Sequence, residues 1–262
     1  MTEQMRVNFH RDLDEVRQGV ARLSASVTEL IPRATDVLLD QDLEGAEYVI
    51  LGDDEIDARS IELEERCYQL IALQAPVASE LRGLISAVKL IAEVERSADL
   101  CVNICKAARR IYGRPLDPRL RGVIQKMGDQ AQHLFKEATE AYLNRDATRA
   151  AALDDMDSML DDLQREFIHV IFDSHALGHI DLQVAVQLAV VARFFERIGD
   201  HAVNIGEKVR YEVDGWMPEH AGAARYNARA DDDGRDGGRD GGRDDDGGDD
   251  DGPGAATEPV DG

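Results

Sequence analysis

The chain has 262 residues, of which 53 are Asp or Glu and 30 are Lys or Arg, so its formal net charge is −23. This acidic balance argues against a nucleic-acid-binding protein, because attraction to phosphate groups requires a basic surface. Aromatic residues make up only 5% of a chain that is 43% hydrophobic, a composition that favours helices over a β-sandwich.

Apolar residues recur at three- and four-residue steps along most of the chain, the pattern of amphipathic helices. The first predicted helix carries its apolar stripe from Leu13 to Ile31, and Pro32 predicts either a kink in it or a turn of weaker geometry. Pro76 is suited to be the first residue of the third helix, where a missing N–H costs little. The other predicted helices span residues 43–72, 77–111, 120–143, 147–173 and 182–211.

Two changes in composition divide the chain. The stretch from Gly113 to Pro118 contains a glycine and two prolines and predicts a linker. The last segment holds 14 Asp and Glu, 5 Arg and 11 of the 22 glycines, and it cannot bury enough apolar surface to become ordered. We therefore expect a first unit over residues 1–113, a second over 114–218 and a disordered acidic Gly/Asp/Arg tail over 219–262.

The cysteine count and the hydropathy indicate the cellular compartment of the protein. Cys67, Cys101 and Cys105 are odd in number and provide no disulfide framework. We expect Cys101 and Cys105 to be buried thiols that act as small apolar groups. No apolar run reaches the roughly 18 residues that a membrane span needs. These observations predict a cytoplasmic protein that meets a membrane only through partners.

An internal repeat relates the two halves of the chain. The segment Glu95–Ile104 aligns with Glu196–Ile205 at an offset of 101 residues, and Asp53–Asp57 aligns with Asp157–Asp161 at an offset of 104. Repetition of a three-helix pattern predicts an all-α protein made of two tandem three-helix-bundle repeats.

Acidic pairs recur at a four-residue spacing that places like charges on one helix face, where they repel. In the first half these pairs mirror each other about a turn. Asp57 and Glu95 each lie 19 residues from Pro76, and Asp53 and Asp99 each lie 23 residues from it. In an antiparallel hairpin, mirrored residues share the same height, so we expect four carboxylates to meet in each half.

Oxygen-rich clusters of this kind suit hard cations, because several carboxylates cannot all stay ionised side by side without a compensating positive charge. The sequence therefore predicts a site for a divalent or multinuclear metal, with Mg, Mn or Fe as candidates, and His201 is a possible nitrogen ligand in the second half. The predicted metal-binding residues are Asp53, Asp57, Glu95, Asp99 and Asn103 in the first half and Asp157, Asp161, Glu196, Asp200 and Asn204 in the second.

Two alternatives stay open. A carboxylate-bridged di-iron enzyme needs a Glu-x-x-His motif from each of two helices. The chain offers one, Glu166-x-x-His169 in the fifth predicted helix, and no partner in the first half. A metal-free helical scaffold would use the acidic stripes only as solvated faces. The chain lacks the common sequence motifs of nucleotide-binding, hydrolase and zinc sites, and we expect a protein that is not an enzyme and has no catalytic residues.

Several segments together resemble the PhoU family. Leu73–Arg82 resembles the turn of that family's first repeat, and Glu196–Ala202 resembles the signature of its second repeat. The segments Arg6–His10 and Asp53–Asp57 are also similar. The resemblance covers about residues 5–212.

The resemblance implies a cytoplasmic, often dimeric regulator of phosphate uptake and signalling. Such proteins act between a phosphate ABC transporter, through its ATPase, and a membrane sensor histidine kinase, and they repress the phosphate-starvation response. Some members bind metal clusters through the carboxylate motifs, which correspond here to the ten residues named above.

This chain departs from the family pattern at two places. Ser97 and Ala98 stand where Ile and Gly are common, and Leu100 stands where a His often follows. The acidic tail lies outside the pattern.

Overall fold

A computed structural model describes residues 3–216, and the disorder predicted for 219–262 lies outside the described residues. Within that range the chain forms six helices. They are α1 (Glu3–Asp40), α2 (Leu43–Gln74), α3 (Ser79–Arg110), α4 (Pro118–Asn144), α5 (Ala147–Ala176) and α6 (Leu182–Asp214). The all-α fold with two three-helix repeats is as predicted.

The two prolines take different positions relative to the helices. Pro32 lies inside α1, which continues to Asp40, because the apolar face on both sides of it is buried and packing outweighs the lost hydrogen bond. The prediction that Pro76 begins the third helix is wrong. Ala75 and Ala78 have φ values of 46° and 51°, and this left-handed backbone delays the start of α3 to Ser79.

Equivalent caps confirm that the two halves are copies of one unit. The carboxylate of Asp42 accepts a hydrogen bond from the backbone N–H of Gly45 at 3.0 Å. The carboxylate of Asp146, 104 residues later, accepts one from Arg149 at 2.9 Å. Each cap satisfies an N–H that the first turn of its helix leaves free, so the second helix of both repeats begins in the same way.

Within the described residues, 3–216, the two repeats pack into one compact unit. Helices α1, α3, α4 and α6 pack against one another in the centre, while α2 packs on α1 and α3, and α5 packs on α4 and α6. A methyl group at Gly128 of α4 would overlap the side chain of Thr35 on α1, so this glycine allows the close approach of the two repeats. Among the six described helices, none has the length and hydropathy of a membrane span.

A buried ion pair also joins the repeats. The carboxylate of Glu212, at the end of α6, has a side-chain exposure of 1%. It accepts hydrogen bonds from Arg17 of α1 at 2.5 Å and from Arg145 of the α4–α5 turn at 2.9 Å. Two cations compensate the desolvation of this single carboxylate, and the interaction holds the end of the chain's last helix against the first.

Candidate metal centre

The hairpin of α2 and α3 brings four acidic side chains of the first repeat together, which we call cluster 1: Asp53, Asp57, Glu95 and Asp99. Burial, followed by the charges of Asp57 and Asp99, raises the pKa of Asp53 from 3.8 to about 6. Burial, followed by the charges of Asp99 and Asp57, also raises the pKa of Glu95. The charge that acts on Asp53 thus comes from both helices of the hairpin, with Asp57 on α2 and Asp99 on α3, the arrangement that the mirrored spacing predicts.

The hairpin of α5 and α6 forms the equivalent cluster 2 from Asp157, Asp161, Glu196 and Asp200. The pKa of Asp157 is raised from 3.8 to about 7 by burial and then by Asp161, Asp200 and Glu196. Burial and Asp200 raise the pKa of Glu196, and this rise is partly offset by Arg193, whose guanidinium donates to Glu196 Oε1. Both clusters therefore concentrate negative charge that their surroundings compensate incompletely.

Buried oxygens without partners suggest what would compensate that charge. Asp53 Oδ1, Asp157 Oδ1 and Glu196 Oε2 are buried and form no hydrogen bond with any described residue. A Cβ atom at Gly199 would overlap Asp157 Oδ1, so only glycine lets this oxygen lie against α6. Buried acceptors of this kind are costly unless something binds them, and the donor set fits a hard cation.

The side chains do not form a closed coordination sphere as they stand. Within the described part of the chain, no three His, Cys, Asp or Glu side chains are placed to hold one metal ion. Half-exposed Asp and Glu side chains change rotamer at small cost, and like charges stay apart when no cation lies between them. Metal binding by the ten predicted residues thus stays a prediction.

The second-repeat asparagine and the histidine lie elsewhere. Asn204 Nδ2 donates to Glu93 Oε2 at 3.2 Å, and His201 Nδ1 lies 2.6 Å from the same oxygen. Both side chains point from α6 towards α3 and not into cluster 2, where the sequence had suggested them as ligands. Asn103 is half-buried on α3, one turn beyond Asp99.

Glu93 was missed by the sequence analysis although it is buried between the repeats. Burial alone would raise its pKa, but hydrogen bonds with His201 and Asn204 hold the pKa below its usual value. The sequence contained one signal, since Glu93 interrupts a stretch of α3 that includes the buried Leu90, Ile91 and Val94. A lone acid on an apolar helix face is expected to have a buried partner.

Other sequence candidates can be placed as well. Glu166 and His169 are both exposed on α5, whereas a di-iron site needs ligands that project into the bundle; the structure therefore contradicts that alternative. Cys101 and Cys105 are free and buried, as expected, and Cys67 is also free and buried. Burial raises the pKa of the Cys67 and Cys105 thiols to about 12, so neither is a reactive thiolate.

These features define a class of all-α proteins in which two copies of a three-helix unit pack together and each copy carries an acidic cluster. The family model described as "PhoU domain" matches residues 20–108 and again residues 124–209. The chain belongs to the PhoU family.

Similar proteins agree with this assignment. The chain is 37% identical to "Phosphate-specific transport system accessory protein PhoU homolog 1" of Mycobacterium tuberculosis, over 82% of this chain and 96% of that protein. It is 33% identical to PhoU homolog 2 of the same organism, over 82% and 100%. The crystal structure of PhoU from Pseudomonas aeruginosa superposes with a TM-score of 0.75 at 27% identity, covering 79% of this chain and 100% of that one.

Proposed function

We propose that this protein is a non-enzymatic, cytoplasmic regulator of phosphate uptake and phosphate signalling that represses the phosphate-starvation response. The observation that carries the proposal is the match to accessory proteins of phosphate-specific transport over nearly their whole length. Its partners would be the ATPase of a phosphate ABC transporter and a membrane sensor histidine kinase, and the protein would act as a homodimer. It reaches the membrane only through these partners.

The acidic clusters are proposed to hold a divalent or multinuclear metal, with Mg, Mn or Fe as candidates. Cluster 1 and cluster 2 supply eight carboxylates, and their buried oxygens without partners support this assignment. The metal would supply positive charge that neutralises both clusters. The hairpins α2–α3 and α5–α6 would then present a helical surface without a strong negative field to the transporter or the kinase.

The regulatory role is tested by deleting the gene and measuring a promoter of the starvation response in phosphate-rich medium. Deletion should activate the promoter, and the wild-type gene should restore repression. A promoter that stays repressed after deletion would contradict the role. Affinity purification from phosphate-rich cells should recover the transporter ATPase and the sensor kinase.

The contribution of the clusters is tested in the same strain with Asp157→Asn combined with Asp161→Asn. We expect this double variant to fold but to restore repression poorly. The matched control combines Asp162→Asn with Glu166→Gln, which removes two charges from exposed positions of the same helix. Equal repression by both variants would favour the metal-free scaffold.

A further inference from the structure

Three apolar side chains lie exposed in a row at the start of α6. Leu182, Val186 and Val190 follow at four-residue steps and have exposures of 65%, 50% and 39%. From residue 182 to residue 192 the helix carries no charged side chain, although charged residues make up 32% of the chain. Exposed apolar side chains that lie together, without charges between them, are typical of a contact surface. We call these three residues the apolar row.

Three cations form a second row at the end of α3. Lys106, Arg110 and Arg114 also follow at four-residue steps, and all three are exposed. Residues 106–116 contain four Lys and Arg and no Asp or Glu, in a chain whose net charge is −23. We call Lys106, Arg110 and Arg114 the basic row.

Contacts between α3 and α6 place the two rows side by side. Arg110 Nη1 donates to Gln187 Oε1 at 3.4 Å, and Arg114 forms an ion pair with Asp181. Gln187 and Asp181 each adjoin a member of the apolar row in the sequence. The ends of the two rows therefore meet at the α3–α6 contact.

The rest of the rows follows from the direction of the helices. Ser86 near the start of α3 donates to the carbonyl of Lys208 near the end of α6 at 3.2 Å, so the two helices run antiparallel. The same antiparallel register places Lys106 beside Val190.

Both rows lie on the same side of the α3–α6 pair. The internal repeat makes α3 and α6 equivalent, and because they run antiparallel, the two-fold rotation that relates them keeps equivalent faces on one side. Arg110 corresponds to Tyr211 at the offset of 101 residues. Tyr211 follows Val186 by 25 residues, which is about seven turns, and therefore shares its helix face. The apolar and basic rows thus border one groove.

We propose that this groove is a docking site for an amphipathic helix of a partner protein, whose apolar face contacts the apolar row and whose adjacent Asp and Glu side chains meet the basic row. The rows extend over about 12 Å of helix, or roughly two turns. Helices that bind in grooves use side chains at three- and four-residue steps in this way. This inference rests on the proposed function only in that the protein acts through a protein partner, and it adds the place and the chemistry of that contact.

Charge favours an acidic partner helix over two other occupants. A second copy of the chain that docked through the same face would bring its own basic row against this one. An anionic membrane is opposed by the net charge of −23. An acidic amphipathic helix instead meets cations on one side and apolar side chains on the other. The charge of Arg110 is available to it, because Gln187 is a neutral side chain.

The occupant is tested by placing the photo-cross-linking amino acid benzoylphenylalanine at Val186 of the full chain in phosphate-rich cells. We expect a cross-link to one segment of another protein in which apolar residues recur at four-residue steps beside Asp and Glu. Mass spectrometry of the cross-linked peptide identifies the segment. The same amino acid at Ile61, an apolar side chain of α2 with an exposure of 58%, should not capture that segment.

The contribution of each row is tested with a synthetic peptide of the captured sequence and the purified full chain, by fluorescence anisotropy. Arg110→Glu and Val186→Ser should each raise the dissociation constant by about tenfold. The matched controls Lys136→Glu and Ile61→Ser make the same kinds of change on α4 and α2 and should leave the affinity unchanged. All four positions are exposed, so we expect every variant to fold, which circular dichroism checks.

A cross-link from Val186 to a second copy of the chain, to lipid or to a segment without acidic residues would overturn the inference. The absence of any cross-link, or equal effects of the test and control variants, would do the same. The regulatory role fails separately, if deletion of the gene leaves the starvation promoter repressed.

Discussion

Nδ1 of His201 on α6 lies 2.6 Å from Oε2 of Glu93 on α3, and this buried contact joins the second repeat to the first. The internal symmetry of the chain does not reproduce it. At the offset of 101 residues, Leu100 corresponds to His201 and Phe194 corresponds to Glu93. One side of the pseudo-symmetric interface therefore carries a polar pair where the other has two apolar residues.

Removing one member of this pair should destabilise the protein. Glu93→Ala leaves His201 and Asn204 without their acceptor, and we expect it to lower the free energy of unfolding by about 2 kcal/mol. The measurement is urea denaturation followed by circular dichroism. Glu65→Ala, at an exposed position of α2, should change the free energy by less than about 0.5 kcal/mol.

Replacing both members should cost less than replacing one. The double variant Glu93→Phe with His201→Leu places here the residues of the equivalent positions, Phe194 and Leu100. Replacing both partners of a buried hydrogen bond by apolar groups can be nearly neutral. We expect the free energy of unfolding of the double variant to exceed that of Glu93→Phe alone and that of His201→Leu alone. If the losses of the two single changes simply add, the two side chains do not act as a pair.

The buried carboxylate of Glu212 provides a second stability test. Glu212→Ala leaves Arg17 and Arg145 without their shared acceptor, and we expect a loss of about 3 kcal/mol in the free energy of unfolding. Urea denaturation measures it, with Glu166→Ala on the surface of α5 as the control. A loss similar to that of the control would show that this ion pair does not hold the end of α6.

Two glycine-to-alanine substitutions should change the free energy of unfolding in opposite directions. Gly199→Ala places a methyl group on Asp157 Oδ1, and we expect it to lower the free energy of unfolding by about 1–3 kcal/mol. At Gly52, no described atom lies within 4 Å of the added methyl group, so Gly52→Ala should stabilise α2 by about 0.5–1 kcal/mol. Thermal unfolding compares the two, and equal effects would contradict the close packing at Gly199.

The stability of metal-free protein should depend on pH through the acidic clusters. The pKa of Asp157 is about 7 in the folded protein against 3.8 for the ordinary side chain. Between these values the folded state holds a proton that the unfolded state has released, so this group makes stability fall as pH rises. In chelator, Asp157→Asn should be more stable than wild type at pH 7.5, and the difference should shrink towards pH 4.

The control for this pH dependence is Asp162→Asn, an exposed residue of the same helix. We expect its unfolding free energy, measured with urea at several pH values, to follow that of the wild type. A gain in stability from Asp157→Asn that is the same at pH 4 and pH 7.5 would show that deprotonation of this carboxyl is not the cause.

Bound metal should offset the loss of stability that the deprotonated acidic clusters cause near neutral pH. Mn²⁺ at 100 times its dissociation constant should raise the free energy of unfolding by about 2.7 kcal/mol. The combined variant Asp157→Asn, Glu196→Gln should show a smaller rise. Thermal unfolding with and without Mn²⁺ measures the effect. A wild-type melting temperature that is the same with and without Mn²⁺ would favour the metal-free scaffold.

Periodicity and spacing were sufficient to predict the six helices, the repeat and the grouping of the carboxylates. These features depend on residues close in sequence: apolar steps define each helix, and equal distances from a turn place Asp57 beside Glu95 in one hairpin. The start of α3 was mispredicted because the left-handed backbone at Ala75 and Ala78 cannot be deduced from the preference of Pro76 for a first helical turn.

Contacts between the repeats could be found only in the folded protein. Glu93 meets His201 and Glu212 meets Arg17 across 108 and 195 residues of sequence. Such pairs depend on how α3 lies against α6 and α1 against the end of α6, and no local pattern encodes that arrangement. The same packing turns Asn204 away from the carboxylates that precede it on its own helix, since a buried acid on the opposite repeat binds its amide.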